Sequence, residues 1–155
     1  MGGARAEAVI DLQAISDNVR TLVRHVGRPL MAVVKADGYG HGLVESAAAA
    51  RRGGAAWLGA AVLDEALVLR RAGDTGPILT WLAVPGEDYG AAIEADVDVT
   101  AYSTDELAEM VAAARGLGRT ARIQLKADTG LHRGGATPAD WAGLVEAARR
   151  AETDG

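Results

Sequence analysis

The amino-acid sequence predicts an α/β fold built around a parallel sheet, and three features of the 155-residue chain support this. Five short apolar runs recur, with first residues 28, 20, 20 and 24 positions apart. Val, Ile and Leu dominate the runs with little polar alternation, which is typical of strands buried on both faces of a sheet. Ala-rich amphipathic segments of about ten to fifteen residues lie between them, which is long enough for helical crossovers.

The five apolar runs are predicted to form the strands of the sheet, and they cover 29–36, 57–62, 77–82, 97–102 and 121–128. A further strand is predicted ahead of them at Ala8–Leu12. The amphipathic segments predict helices at 13–26, 43–52, 64–72, 89–95, 104–117 and 138–151. Ser103, with a Glu three positions later, indicates a capping box, and Thr137 before Pro138 indicates an N-cap. No linker separates these units, so we expect one continuous domain over residues 1–155.

Two architectures fit this alternation: a doubly wound open sheet and a (β/α)8 barrel. Gly38, Gly40 and Gly42 follow the first of the five strands, but their spacing differs from the Gly-x-Gly-x-x-Gly of dinucleotide-binding folds. A complete barrel needs roughly 200–250 residues. With about five barrel strands, this chain would form an incomplete (β/α)8 TIM barrel with an unpaired edge. The residues alone leave the choice open.

Composition excludes several classes of function. The net charge of −5 at pH 7 argues against a nucleic-acid partner. The absence of Cys excludes disulfides, zinc–thiolate sites and a thiol nucleophile, and it fits a cytoplasmic protein. No apolar run approaches ~18 residues, so we expect no membrane span. The three His residues lack the spacing of metal ligands, so we expect no metal site.

The cations are distributed unevenly, because 14 of the 16 are Arg and only Lys35 and Lys126 are Lys. The high Ala and Arg content suggests a GC-rich coding bias, which by itself would replace surface Lys by Arg. Both lysines nevertheless stand at the end of an apolar run and are followed by Ala-Asp. This repeated placement suggests that a primary amine is needed at both positions.

Lys35 follows the first apolar run and precedes a Gly-rich loop that carries Tyr39 and His41. Ligand groups collect at the carboxyl ends of parallel strands, which is where Lys35 is expected to lie. Burial disfavours an ammonium ion, so a desolvated Lys there can act as a base or form a Schiff base with an aldehyde. The structural alternative is a lysine that extends from the strand end to solvent.

Lys126 ends the last apolar run and is followed by Asp128, a Gly turn and Arg133. The planar guanidinium of Arg133 suits a carboxylate or a phenolate-like oxygen, although a surface Arg in a Gly loop is an equal alternative. Lys126 and Arg133 would repel each other unless an anion lies between them. Either Asp128 supplies this anion or Lys126 is chemically modified.

Both lysine segments resemble conserved segments of bacterial alanine racemases. Ala-Val-Val-Lys-Ala-Asp-Gly-Tyr-Gly-His-Gly (32–42) resembles the family's pyridoxal-phosphate lysine signature, with Gly38 where Ala is usual. Lys-Ala-Asp-Thr-Gly-Leu-His-Arg-Gly (126–134) resembles its second conserved segment. The opening Ala-Val-Ile-Asp-Leu (8–12) and Leu-Asp-Glu-Ala-Leu (63–67) also resemble the family. The similarity runs in register from about residue 6 to 151.

The resemblance implies a fold-type III enzyme that uses pyridoxal 5'-phosphate to interconvert L-alanine and D-alanine through an external aldimine and a Cα carbanion, and so supplies D-alanine for cell-wall synthesis. Lys35 would bind the cofactor and act as the base on one face of Cα. Tyr39 would contact the cofactor phosphate. Arg133 would hold the phenolic oxygen of the cofactor and the substrate carboxylate. Lys126 would be the lysine that carries a carbamate in several members.

The resemblance also implies what this chain does not contain. The family's N-terminal domain is a (β/α)8 barrel, so residues 1–155 would be the N-terminal part of one, in a homodimeric protein. The strand within residues 1–12 would pack with a β-rich C-terminal domain. The base on the opposite face is a Tyr of that domain in the partner subunit. We therefore expect this chain alone to be inactive.

Two alternatives remain open at this point. One is another fold-type III racemase that acts on serine or on a broader range of amino acids. The other is a non-catalytic barrel protein that carries pyridoxal phosphate. Small carriers of this kind lack the Lys35 signature and close a complete barrel, so the sequence fits them poorly.

Overall fold

A computed structural model describes residues 6–84 and 86–153 of the chain. The strands, in chain order, are β1 Met31–Val33, β2 Trp57–Ala60, β3 Ile78–Thr80, β4 Val99–Ala101 and β5 Ile123–Leu125. The helical segments are α1 Leu12–Val26, α2 Lys35–Gly40, α3 Leu43–Gly53, α4 Leu63–Arg71, α5 Tyr89–Glu94, α6 Thr104–Leu117 and α7 Pro138–Thr153. Each of the five predicted strands forms inside its apolar run, and the six predicted helices form within two residues of their expected ends.

The predicted strand at Ala8–Leu12 is not formed in this structure. Residues 6–11 lie outside helix and strand, and Leu12 is already the first residue of α1. A strand is stabilised by hydrogen bonds to a neighbouring strand, and alternating apolar residues alone do not replace them. Asp11 instead caps α1, since its side chain accepts a hydrogen bond from the N–H of Ala14 at 3.0 Å. The pairing of this segment with a further domain stays a prediction, and residues 1–5 lie outside the described part of the chain.

The order of the strands distinguishes the two architectures. β1, β2 and β3 pair in parallel and in sequence order, as do β4 and β5. A parallel bridge from Leu79 to Asp98 joins β3 to β4, and the N–H of Thr80 donates to the carbonyl of Asp98 at 2.9 Å. The spatial order is therefore β1-β2-β3-β4-β5, without the reversal that defines a doubly wound sheet.

This strand order determines on which face of the sheet the connecting helices lie. Parallel crossovers are right-handed, so five strands added in one direction place every connecting helix on the same face of the sheet. That arrangement is a segment of a (β/α)8 barrel. Among the described residues, β1 and β5 each pair with one strand only. The prediction of an incomplete barrel is confirmed.

The core between sheet and helices is filled by fully buried aliphatic side chains, among them Leu58, Leu69, Ile78, Met110 and Leu144. The contact between α1 and α3 is made differently, with small residues. A Cβ placed on Gly53 of α3 would lie only 2.5 Å from the carbonyl oxygen of Ser16 in α1. Glycine is thus required at this position by close approach of the two helices, not by its backbone angles.

Candidate active site

Lys35 and Lys126 both follow the carboxyl end of a parallel strand, so they lie at the same end of the barrel segment. Lys35 is two residues beyond β1, and its amine nitrogen Nζ lies 5.9 Å from the ring centroid of Tyr39. The side chain of Tyr39 is 58% exposed. The structure therefore brings together the first two predicted site residues on an open face of the loop.

The segment after Lys35 is a left-handed helical turn. Ala36 (φ 53°, ψ 54°), Asp37 (54°, 47°), Gly38 (61°, 35°) and Tyr39 (57°, 36°) all have left-handed backbone angles. A non-Gly residue in this conformation costs roughly 1–2 kcal/mol, because Cβ crowds the following carbonyl oxygen. Three non-Gly residues with left-handed angles among four consecutive positions require strong tertiary support.

Hydrogen bonds that Asp37 accepts supply part of that support. Its side-chain oxygen Oδ1 accepts the N–H of Leu43, the first residue of α3, at 2.8 Å. Its carbonyl accepts the N–H of Gly42 at 2.9 Å. The turn is therefore tied to the helix that follows it, and the orientation of Lys35 depends on where α3 begins.

Gly38 is the buried residue of the turn, and its environment explains why it carries no side chain here. A Cβ on Gly38 would lie 2.6 Å from the hydroxyl oxygen of Ser46 in α3. That hydroxyl is itself buried and has no hydrogen-bond partner among the described residues. Ser46 occupies the space that an Ala at position 38 would need, so the departure of Gly38 from the family pattern has a steric counterpart within this chain.

Lys126 lies over an aromatic ring that the sequence analysis did not single out. Its Nζ is 4.8 Å from the ring centroid of Tyr102, the residue that follows β4. The ring of Tyr102 also packs against Gly134, where a Cβ would approach it to 3.0 Å. Burial, followed by the negative charge of Glu106, raises the pKa of the Tyr102 hydroxyl. The position of Tyr102 at a strand end, like that of the two lysines, was the signal available in the sequence.

The loop between β5 and α7 is a compact turn closed by backbone hydrogen bonds. The N–H of Ala136 donates to the carbonyl of Lys126 at 2.7 Å, and the N–H of Asp128 donates to the carbonyl of Ala136 at 2.9 Å. A Cβ on Gly135 would lie 2.6 Å from the backbone nitrogen of Asp128, so only glycine permits this closure. The loop thereby returns close to the end of β5.

Asp128, one of the two alternatives for the anion between Lys126 and Arg133, forms no ion pair with either of them in the described part of the chain. Its Oδ1 accepts the N–H groups of Gly130 at 2.9 Å and His132 at 3.1 Å, and its Oδ2 lies 2.7 Å from Nδ1 of His132. Local N–H groups are close to a loop carboxylate at little entropic cost, so they occupy it first. Modification of Lys126 remains the other alternative.

Asp128 gives the loop a pH dependence that can be measured. The N–H groups of Gly130 and His132, and then the ring of His132, lower the pKa of the Asp128 carboxyl. A pKa lowered on folding stabilises the loop above the unfolded value of about 3.9, and this stabilisation is lost as the pH falls through the lowered value. We expect the amide NMR shifts of Gly130 and His132 to titrate below the ordinary Asp range.

The control for this prediction is Asp128→Asn, which keeps one side-chain oxygen but does not titrate. We expect the acid-range step in both amide shifts to disappear in this variant. A wild-type midpoint at the ordinary value of an exposed Asp would contradict the bonding described for the loop.

Arg133 lies further along the same loop and is exposed. Its guanidinium forms no ion pair with any residue of the described ranges 6–84 and 86–153. His132, the residue before it, has a left-handed φ of 55°. The structure therefore places Lys126 and Arg133 on one loop, but it does not bring Arg133 into hydrogen-bonding contact with Lys35 or Tyr39.

Most of the chain matches proteins of known type. Residues 10–154 match the family described as alanine racemase, N-terminal domain. The chain belongs to this family. Curated relatives named alanine racemase come from Frankia casuarinae, with 57% identity over 97% of this chain, and from Salinispora arenicola, with 54% identity over 97%. The chain spans 40% and 41% of their lengths, respectively.

Solved structures of the family have the same fold. The alanine racemase of D-cycloserine-producing Streptomyces lavendulae superposes with a TM-score of 0.91 at 55% identity, over 94% of this chain and 38% of that one. The Bacillus anthracis alanine racemase with bound L-Ala-P superposes with a TM-score of 0.79 at 33% identity, over 93% and 39%. The family predicted from the two lysine segments is thus confirmed, as is the barrel fold. The roles of individual site residues stay predictions.

Two further observations concern partners. No helix in the described part of the chain is long and apolar enough to cross a membrane. The described residues also contain no group of three or more His, Asp or Glu side chains arranged to hold a metal ion.

Proposed function

We propose that this chain is the cofactor-binding part of an alanine racemase, a cytoplasmic isomerase that interconverts L-alanine and D-alanine for cell-wall synthesis. One observation carries the proposal. Lys35 stands at a strand end of the barrel, directly before a strained left-handed turn that other groups hold in place. Strain of this kind persists where the surrounding structure determines the position of a functional group.

The residues at this end of the barrel fit pyridoxal 5'-phosphate chemically. An amine, a phenol and a guanidinium come from Lys35, Tyr39 and Arg133, and all can donate hydrogen bonds. The ligand's phosphate and phenolic oxygen are anionic, and its aldehyde reacts with an amine. When bound, the cofactor supplies an electron sink for the Cα carbanion.

Each of these residues has a distinct task in the proposed reaction. Lys35 would hold the cofactor through its amine, and the same amine would accept or return the Cα proton on one face. Tyr39 binds the phosphate. Arg133 binds the phenolic oxygen and the alanine carboxylate, for which its planar fork is suited.

Inversion of Cα requires a second acid–base group on the opposite face. Tyr39 is assigned to the phosphate, the side chain of Tyr89 is buried in the core, and the hydroxyl of Tyr102 is buried without a partner among the described residues. None of these three tyrosines is available on the opposite face. In the family that this chain resembles, a Tyr of the partner subunit's C-terminal domain takes this role; on that basis we place the second group in the partner of a homodimer and expect the 155-residue chain alone not to racemise alanine.

Lys126 is proposed to supply the anion that Arg133 lacks in this structure. Its neutral amine would attack carbon dioxide and lose a proton, which leaves an N-carboxylate. The Tyr102 ring stabilises the ammonium form by roughly 0.5–2 kcal/mol, as cation–π contacts do. Carbamate formation must therefore overcome this contact, and it becomes more favourable as Arg133 approaches.

Reductive trapping followed by a complementation assay tests the proposed function. Pyridoxal phosphate is added to the folded chain, borohydride is added next, and the modified peptide is mapped. We expect the label on Lys35. A separate sample of the chain, given pyridoxal phosphate but no borohydride, is mixed with the part of the Frankia casuarinae relative that it does not match, and conversion of L-alanine to D-alanine is measured.

The outcomes separate the candidate functions. Label on Lys35 together with alanine conversion in the mixture, but not in the chain alone, supports the proposal. Label without conversion of any amino acid by the mixture would favour a non-catalytic carrier. Faster conversion of serine than of alanine would favour a racemase of different specificity, and full activity of the chain alone would show that it contains both acid–base groups.

A further inference from the structure

The side chain of Glu65 joins the Lys35 turn to a different unit of the barrel. Glu65 lies in the first turn of α4, and its Oε1 accepts the N–H of Ala36 at 2.6 Å and that of Asp37 at 3.4 Å. Its Oε2 accepts the N–H of Ala61 at 3.0 Å. One carboxylate thus binds backbone groups from two segments that are 25 residues apart in the chain, counted from Ala36 to Ala61.

With the bond to Ala36, hydrogen bonds hold the backbone on both sides of Lys35. On the preceding side, the N–H of Val34 donates to the carbonyl of Gly59 in β2 at 2.9 Å. On the following side, the N–H of Ala36 donates to Glu65. Both backbone neighbours of Lys35 are therefore fixed to the β2–α4 unit. The second restraint acts at the residue where the chain enters the left-handed turn.

A second glutamate, at the equivalent position of α6, makes the local one of these hydrogen bonds but not the bond to a neighbouring unit. Glu106 occupies the same place in α6, and its Oε2 accepts the N–H of Tyr102 at 2.7 Å, just as Glu65 accepts that of Ala61. This bond from the third residue of a helix back to the end of the preceding strand is local and serves the helix start. Among the described residues, the bond to a neighbouring unit is made by Glu65 and not by Glu106.

We propose that Glu65 is a positioning residue for Lys35: it holds the left-handed turn and thereby fixes the direction of the lysine amine. This rests on the proposed function, in which Lys35 attaches pyridoxal phosphate. The turn has a tendency to relax, because its non-Gly residues occupy a disfavoured conformation. A charged acceptor on its first N–H groups opposes that relaxation more strongly than a neutral acceptor would.

Replacing Glu65 by Gln is expected to affect its hydrogen bonds to Ala36 and Ala61 differently. A carboxylate is an acceptor at both oxygens, whereas an amide presents an NH2 donor in place of one of them. The bond to Ala61 spans four residues and that to Ala36 spans 29, so the remaining oxygen is expected to keep the local partner. E65Q should therefore release the turn while α4 keeps its start. The matched control is E106Q, which makes the same change in α6.

The test measures amide hydrogen exchange and the rate of reductive trapping at Lys35 in the folded 155-residue chain. Loss of a hydrogen bond to a charged acceptor predicts about tenfold or more faster exchange at Ala36 and Asp37 in E65Q. Trapping with pyridoxal phosphate should slow by about the same factor. In E106Q the amide oxygen is expected to keep its local partner, the N–H of Tyr102, so we expect little change in exchange at Tyr102 and none at Ala36 or Asp37.

Several outcomes would overturn the proposal. Unchanged exchange at Ala36 and Asp37 in E65Q would show that Glu65 does not hold the turn. Faster exchange with an unchanged trapping rate would show that Glu65 holds the turn without positioning Lys35. If E65Q does not fold, E65D, which keeps the charge but shortens the reach, gives the same comparison.

Failure of the proposed function is visible separately. If the wild-type chain is not labelled at Lys35 at all, the cofactor assignment itself fails. If it is labelled, and E65Q is labelled equally fast, only the role of Glu65 fails. The hydrogen-exchange result does not depend on the cofactor in either case.

Discussion

Replacing Lys35 by Arg is expected to abolish the borohydride-stable attachment of pyridoxal phosphate to the chain. Arg keeps the positive charge and the length of the side chain, but imine formation needs a neutral primary amine. At pH 7 the neutral fraction of a guanidinium is below about 10⁻⁵. We expect labelling to fall by more than about a hundredfold, to the level of non-specific attachment.

The unusual composition of the chain makes this experiment easy to interpret. Lys35 and Lys126 are the two lysines of the sequence, so K35R leaves one lysine side chain available. Lys126→Arg is the matched control, because it makes the same substitution at the other strand end. Labelling should persist in K126R. Equal labelling of K35R and wild type, or transfer of the label to Lys126, would contradict the assignment of Lys35.

Gly53→Ala is expected to destabilise the fold by about 1–3 kcal/mol, although Ala favours helices over Gly. The new Cβ would lie 2.5 Å from the carbonyl oxygen of Ser16 and 2.7 Å from Cβ of Val19. The first of these atoms is backbone, so α1 as a whole must move away from α3. The free energy of unfolding in urea measures the effect, and circular dichroism checks that the helices remain.

Two other helical glycines provide controls, because replacing them by Ala is expected to stabilise the fold rather than destabilise it. A Cβ on Gly116 in α6 or on Gly143 in α7 meets nothing within 4 Å. Gly116→Ala and Gly143→Ala should each stabilise the fold by about 0.5–1 kcal/mol through helix propensity alone. A stabilising effect of G53A as well would contradict the close approach of α1 and α3 at Gly53.

The elements of the fold could be predicted because each depends on neighbouring residues. An apolar run such as 77–82 carries its own strand signal, and Ser103 caps α6 through the N–H of Glu106 three residues later, as expected. Strand order has no such local signal. The residues alone left the barrel and the doubly wound sheet open, and the resemblance to a family was needed to choose.

The site could be predicted only in part, for the same physical reason. Lys35 stood out through its position after a strand. Glu65 did not, because its bond to Ala36 joins residues 29 apart. The bonds of Asp128 to the N–H groups of Gly130 and His132 were not foreseen, because charge complementarity with Lys126 and Arg133 was considered before the N–H groups of its own loop. The left-handed turn was missed because Ala and Tyr have no tendency towards that conformation.

The left-handed turn also limits how this part of the sequence can vary. At positions with ordinary backbone angles, a side chain can be exchanged for another of similar size and polarity. At positions 36, 37 and 39 the backbone angles set the limit, because φ lies between 53° and 57° at all three. Val, Ile and Thr, whose branched Cβ makes these angles most costly, are excluded there whatever space is available. Random mutation should therefore be tolerated least in a segment that is largely exposed, which reverses the usual relation between burial and tolerance.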